Sequence, residues 1–246
     1  MILPIPRSHL RFRNTGAIYC SVLLKVSEID LYIRKWRSDT LEIINVLHEF
    51  NMSPTKNRMV RHAKAGFVSL GVLVGLMWVI EFIDWFLPLQ LDIYGIHPRN
   101  PAWFQGIVFA PLLHGSWAHI MANTPPLLIF GGLIALQGVG DFWLATILSA
   151  VVSGLGVWFI APPASVTVGA SGIIFGYLGF LLLRGFFERR FSSILISLGV
   201  GAFYSSMIWG VLPSSPNVSW QAHFFGFIGG VLAANLVSQQ PKNHGI

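Results

Sequence analysis

The feature that most constrains this chain is a series of six apolar runs, each close to the length of about 20 residues that an α-helix needs to cross a bilayer. Over the whole chain 54% of residues are hydrophobic and only 11% are charged, which is far from a soluble globular composition. The sequence therefore predicts an all-α polytopic membrane protein with six transmembrane helices. The predicted spans are residues 67–87, 117–137, 142–160, 168–183, 192–212 and 220–237.

The basic residues predict how these spans are oriented. Because cytoplasmic loops are enriched in Lys and Arg, both termini are expected in the cytoplasm. A bacterial inner membrane is favoured over an organellar one, and the net charge of +6 is assigned to contact with anionic lipid rather than nucleic acid. The residues that carry this argument are Lys56, Arg58, Arg61 and Lys64 before the first span, Arg184, Arg189 and Arg190 between the fourth and fifth, and Lys242 after the last, against Arg99 alone on the opposite side.

The segments outside the spans divide the chain into three parts. Residues 1–55 are a cytoplasmic extension without a span, and either a targeting segment or a true start at Met52 would account for them. Residues 56–240 hold the six-helix domain, and residues 241–246 form a short cytoplasmic tail. Residues 91–113, between the first two spans, are too apolar for a solvated loop and predict a membrane-associated first loop.

Polar side chains recur at one depth in the even-numbered spans. Ser171 stands thirteen residues before Arg184, His223 fifteen before Ser238, and Asn123 fourteen before Gln137. At 1.5 Å per residue, all three lie about 20 to 22 Å above the cytoplasmic boundary, inside a core of about 30 Å. A polar side chain without a partner at such a depth costs free energy, so we interpret the three residues as parts of one site.

The residues before Ser171 predict that this site is a cavity. Pro162, Pro163 and Gly169 make a continuous helix from the third span into the fourth improbable on steric grounds, so the fourth helix should begin inside the membrane. Irregular backbone at that depth is tolerated where it is buried in protein or lines a wet cavity.

These residue types predict nucleophilic catalysis without an acid. His223 is placed to accept the proton of Ser171, and after residue 92 only Asp141 and Glu188 are acidic, neither at this depth. The oxyanion donors would be the Ser171 N–H, His119 and the Asn123 amide. Four more residues are predicted to support the site: Phe175 by packing on the His223 ring, and Gly172, Gly226 and Gly230 by bringing the fourth and sixth helices together.

Three segments in register resemble one known family. HGSWAHIMAN (114–123), GASGIIFG (169–176) and AHFFGFIGG (222–230) look like the motifs of the rhomboid intramembrane serine proteases. The resemblance implies a rhomboid-like bundle with Ser171 as nucleophile, His223 as general base and acid, and His119 and Asn123 as oxyanion donors. It also implies cleavage of single-span membrane proteins near their outer membrane boundary, without a cofactor or a metal. His114, which matches a further motif position, is given a structural role.

The chain departs from the family pattern at three places. Phe175 stands where many members carry tyrosine, and Gln105–Gly106 replace a Trp–Arg pair in the first loop. Pro125 and Pro126 remove N–H donors within the second span.

Three alternatives to the protease were weighed. The first is a catalytically silent rhomboid-like protein that binds transmembrane segments. The second is a transporter or channel lined by the intramembrane His and Asn side chains. The third is a metalloprotease built on His114, His119 and His223, for which the sequence offers neither HExxH nor a suitably placed carboxylate.

Overall fold

The computed structural model describes residues 34–42, 54–87, 89–213 and 218–239. Within these ranges six helices are long and apolar enough to cross a membrane, which confirms the predicted all-α polytopic fold. Residues 34–42 are also helical. We label the spanning helices α1 (Pro54–Phe86), α2 (Trp117–Ala135), α3 (Val139–Ile160), α4 (Ser171–Glu188), α5 (Phe191–Tyr204) and α6 (Trp220–Gln239).

Several helix boundaries differ from the prediction. Helix α1 begins at Pro54 rather than Phe67, because its first turns are polar and carry no hydropathy signal. Helix α5 ends at Tyr204, and a 3₁₀ segment over Ser205–Val211 completes the fifth span. The fold below is that of the compact unit that begins at Arg58, taken by itself. The predicted extension and tail lie almost wholly outside the described residues.

Helix α4 lies at the centre of the bundle and contacts α6 at backbone distance. A Cβ atom at Gly226 would overlap the carbonyl oxygen of Gly172, and one at Gly230 would overlap that of Gly176. Small residues allow this approach, which is how helices associate without a hydrophobic driving force in lipid. Helix α3 packs against both α4 and α6. Its Ser153 Oγ donates a 2.9 Å hydrogen bond to the carbonyl of Ala222 in α6.

A buried ion cluster ties the other end of α4 to its neighbours. Arg184 contacts Asp141 at 2.7 Å and Glu188 at 3.1 Å, and Ser193 Oγ donates to Glu188 Oε2 at 2.6 Å. The pattern of basic residues predicts Arg184 in a cytoplasmic connection. That placement is wrong, because α4 continues to Glu188 and Arg184 is only 8% exposed. Both acidic residues that follow residue 92 are therefore used to neutralise one arginine.

The first loop, residues 87–116, is fixed by contacts with the connection between α3 and α4. Ile96 and Thr167 exchange two backbone hydrogen bonds of 2.9 and 3.1 Å. Arg99, at φ 58°, donates from Nη2 to the carbonyl of Ala161 at 2.8 Å, next to the C-terminal end of α3. Gly106 lies so close to Gly95 that a Cβ there would overlap the Gly95 carbonyl oxygen. Glycine packing and Arg99 thus hold the first loop around Gln105–Gly106.

The glycine contact between α4 and α6 leads to a matched pair of substitutions. Gly230→Ala should lower the melting temperature of the purified protein in detergent, because its Cβ would push Gly176 away. Gly71→Ala is the control, since a Cβ there meets nothing within 4 Å. Alanine at an exposed helical position is favoured over glycine by up to about 1 kcal/mol, so this control should melt at the same temperature or slightly higher. Equal melting temperatures for the two variants would contradict the packing argument.

Hydrogen–deuterium exchange of the backbone amides in the first loop tests the role of Arg99. Arg99→Ala should speed exchange over residues 91–112, because a hydrogen bond from a charged donor is typically worth about 1.5–3 kcal/mol. Arg99→Lys keeps a charged donor and should show a smaller increase. If both variants exchange at the wild-type rate, the guanidinium does not anchor the loop.

Candidate active site

A large cavity lies where α2, α4 and α6 begin. Its volume is about 1020 Å³, and its walls include Ser171, His223, His119, Asn123 and Phe175. The three helices start at Trp117, Ser171 and Trp220, so all three point their N-terminal ends toward this space. The structure therefore brings together the side chains that the sequence analysis derived from depth and spacing alone.

Ser171 is positioned by the short connection that precedes α4. The Gly169 N–H donates to the carbonyl of Ala110 at 2.8 Å, and the Ala170 N–H donates to His114 Nε2 at 3.4 Å. Gly169 has φ 114°, a conformation that glycine adopts readily and other residues rarely do. Helix α4 then starts at Ser171, whose N–H is one of the first-turn donors without an acceptor inside the helix.

His119 and Asn123 lie on one face of α2, against the backbone of that connection. A Cβ atom at Gly169 would lie 2.7 Å from His119 Nε2 and 3.5 Å from Asn123 Nδ2. Asn123 Nδ2 is buried and has no hydrogen-bond partner among the described residues. Gly169 is thus the residue that lets the Ser171 connection approach both side chains. From the sequence, Gly169 is expected only to interrupt a helix.

His223 enters the cavity from α6 and is held on two sides. The Phe175 ring stacks on the imidazole with centroids 4.0 Å apart and planes 11° from parallel. Nδ1 of His223 lies 2.8 Å from the carbonyl oxygen of Gly210. The partner of Nδ1 is thus a backbone carbonyl, where a serine protease triad would have a carboxylate. Sequence patterns gave no signal for Gly210, because a carbonyl is common to every residue.

Acidic residues gather at the C-terminal end of α1. Asp84 Oδ1 accepts a 2.9 Å hydrogen bond from the Leu91 N–H, and burial, followed by the nearby Asp84, raises the pKa of Asp92, while His119 lowers it. The Glu81 side chain turns into the bundle and is only 6% exposed. Asp92 was not among the residues predicted from the sequence. No described group of three or more His, Cys, Asp or Glu side chains could hold a metal ion.

Pro125 and Pro126 do not end α2, which continues to Ala135. Thr124 Oγ1 donates to the carbonyl of Ile120 at 2.7 Å and accepts from Trp78 Nε1 at 3.1 Å. These bonds hold the turn beside the prolines to α1. Pro126 itself lines the cavity two turns below His119.

The chain is similar to proteins of one family. A model of the rhomboid domain matches residues 101–240. An uncharacterized protein of Mycobacterium tuberculosis is 40% identical over 181 residues, which cover 70% of this chain and 75% of that protein. Rhomboid-like protein 11, chloroplastic, of Arabidopsis thaliana is 31% identical over 236 residues, 89% of this chain and 80% of its own. The Bacillus subtilis protein YdcA, named as a candidate rhomboid protease, is 29% identical over 155 residues, 61% of this chain and 74% of its own.

We expect His114 to make the stability of the protein depend on pH. Burial, followed by the charge of His119, lowers the pKa of His114 from 6.5 to about 4. The folded protein therefore keeps this ring neutral where the unfolded chain would protonate it. Stability should fall as the pH drops from 6.5 to about 4, by at most about 3 kcal/mol from this group.

The measurement is the melting temperature across this pH range in detergent. His114→Gln removes the titrating ring and should flatten the curve, whereas His62→Gln, at an exposed position of α1, is the matched control. Parallel curves for wild type and His114→Gln would show that His114 does not carry the dependence.

Proposed function

The chain belongs to the rhomboid family, and we propose that it is an intramembrane serine endopeptidase that works through a dyad of Ser171 and His223. It is a multi-pass membrane protein of a family that acts on transmembrane substrates in the bilayer. We assign it single-span substrates cut near the outer membrane boundary. We further propose that it resides in a bacterial inner membrane with both termini in the cytoplasm, an orientation supported by the basic residues around α1.

One observation supports the proposal most strongly. Ser171, His223, His119 and Asn123 come from three different helices and line one cavity at the N-terminal ends of those helices. Helix N-termini stabilise negative charge, and a tetrahedral intermediate of acyl transfer carries an oxyanion. The same end of the bundle thus offers a hydroxyl, a base and several donors.

The proposed reaction begins with attack by Ser171 Oγ on the scissile carbonyl carbon. His223 Nε2 accepts the hydroxyl proton, and the carbonyl π electrons move onto oxygen to give the tetrahedral oxyanion. The Ser171 N–H, His119 and Asn123 Nδ2 donate hydrogen bonds to that oxygen. Asn123 Nδ2 suits this role because it is buried and has no partner among the described residues.

Collapse of this intermediate breaks the C–N bond and leaves an ester on Ser171. His223 returns its proton to the leaving amine, so the first product departs with a neutral amino group. A water molecule then attacks the ester while His223 accepts its proton. The second collapse returns that proton to Ser171 and releases the second product, the amino-terminal fragment, with a new carboxyl group at its end.

The dyad is tested with a fluorogenic transmembrane substrate and protein reconstituted in liposomes. Ser171→Ala and His223→Ala should abolish turnover, and Asn123→Ala should lower it by about 100-fold, because one oxyanion donor is worth roughly 3 kcal/mol. Ser165→Ala is the matched control, since Ser165 lines the same cavity but donates its hydroxyl to the Pro162 carbonyl. Equal turnover in wild type and Ser171→Ala would refute the dyad.

A catalytically silent member of the family is the second candidate, because close relatives such as the mycobacterial protein are uncharacterized. A fluorophosphonate probe separates the two candidates. Covalent labelling of wild type and Ser165→Ala, but not of Ser171→Ala, is expected of the protease. Folded wild-type protein that takes up no label would favour the silent member.

A further inference from the structure

The 3₁₀ segment Ser205–Val211 contacts the imidazole that the proposed mechanism uses as its base. The carbonyl oxygen of Gly210 lies 2.8 Å from His223 Nδ1. A carbonyl oxygen can only accept, so the proton of this hydrogen bond must reside on Nδ1. In a neutral imidazole the other nitrogen then has a free lone pair. The contact therefore selects the tautomer in which Nε2 is able to accept a proton.

Gly210 also fixes where the imidazole lies. A Cβ atom at residue 210 would come within 2.6 Å of Phe175 Cζ and 3.6 Å of His223 Nδ1. The Gly210 backbone therefore lies against the edges of both rings, while the Phe175 ring covers one face of the imidazole. Stacking with Phe175 limits tilt of the ring but does not distinguish Nδ1 from Nε2. The carbonyl of Gly210 makes that distinction.

From these contacts we infer that the Gly210 carbonyl is the positioning group of His223, in the place that an acid occupies in a catalytic triad. This inference rests on the proposed function, because the value of a free Nε2 lies in accepting the Ser171 proton. In serine protease triads the acid holds the base in the correct tautomer and stabilises the charged imidazolium. A neutral carbonyl supplies the first effect and, through its dipole, part of the second.

The element that carries this carbonyl has few buried residues. None of the residues in Ser205–Val211 is buried, and in α5 only Ser193 and Val200 are. Met207 and Val211 are the residues of the segment that pack, partly buried, against the main core. The orientation of the base thus depends on a segment with little packing of its own. Displacing that segment would remove the acceptor and free the ring to adopt either tautomer.

The direct test reads the tautomer by NMR of protein that carries ring-¹⁵N histidine, reconstituted in bilayers. The His223 signals are identified by their loss in His223→Phe. Wild type should show a protonated Nδ1 and an unprotonated Nε2 at neutral pH. Gly210→Ala should show a mixture of tautomers, because the added methyl group displaces the segment. Gly199→Ala is the matched control in α5, since a Cβ there meets nothing within 4 Å, and it should match wild type.

A kinetic test uses a variant that adds no atoms near Phe175. Replacing Val211 by its α-hydroxy acid turns the Gly210–Val211 amide into an ester, whose carbonyl oxygen is a weaker acceptor. With the fluorogenic transmembrane substrate, kcat should fall by about tenfold, near the net worth of one hydrogen bond, with KM little changed. Gly210→Ala should lower kcat at least as much, and Gly199→Ala should leave it at the wild-type value.

The outcomes separate this inference from the proposed function. A wild-type His223 protonated on Nε2, or an unchanged tautomer in Gly210→Ala, would overturn the positioning role whether or not the protein is a protease. An unchanged kcat in the ester variant would overturn it as well. Absence of Ser171-dependent turnover, together with the expected tautomer in wild type and its loss in Gly210→Ala, would instead refute the protease and leave the contact established.

Discussion

The rest of the fold depends on the close approach of the α4 and α6 backbones. A Cβ atom at residue 226 or 230 of α6 would overlap a carbonyl oxygen of α4. In lipid, where burying apolar surface gives helices little reason to associate, such contact supplies dispersion energy over the whole length of the interface. It also sets the distance between the two helices that carry Ser171 and His223. Larger residues at these positions would separate the helices, and the imidazole could not lie flat on Phe175.

The positions of the charged side chains also follow from the apolar environment of the membrane. The two acidic residues after residue 92, Asp141 and Glu188, both form ion pairs with Arg184 at the end of α4 away from the cavity. The buried arginine is therefore paired. Removing one partner of a buried ion pair typically costs about 3–5 kcal/mol, which makes the cluster a stringent constraint on α3, α4 and α5. The polar groups that line the cavity next to Ser171, in contrast, are hydroxyl, amide and imidazole groups.

Much of the candidate site could be predicted because depth is readable along a helix. Counting residues to the end of an apolar run placed Ser171, His223 and Asn123 at one level, although Arg184, the end point used for α4, proved to be buried. Helical spacing placed His119 and Asn123 on one face. Three contributors escaped this reasoning. Gly169 and Gly210 act through backbone geometry, and Asp92 comes near His119 through the first loop, where the neighbouring Leu91 N–H donates to Asp84 near the end of α1.

The sequence by itself determined the number of spans, the close packing of the glycine-rich fourth and sixth helices, and a set of polar residues at one depth. Hydropathy, helical rise and the cost of isolated polar groups in hydrocarbon are local properties, so they can be read without knowing which helices touch. The tertiary structure alone decided that α1 begins at Pro54, that Arg184 is buried, and that the Gly210 carbonyl accepts from His223. Those features depend on contacts between residues distant in the chain. Every residue has a backbone carbonyl, so the sequence cannot show which one accepts a hydrogen bond.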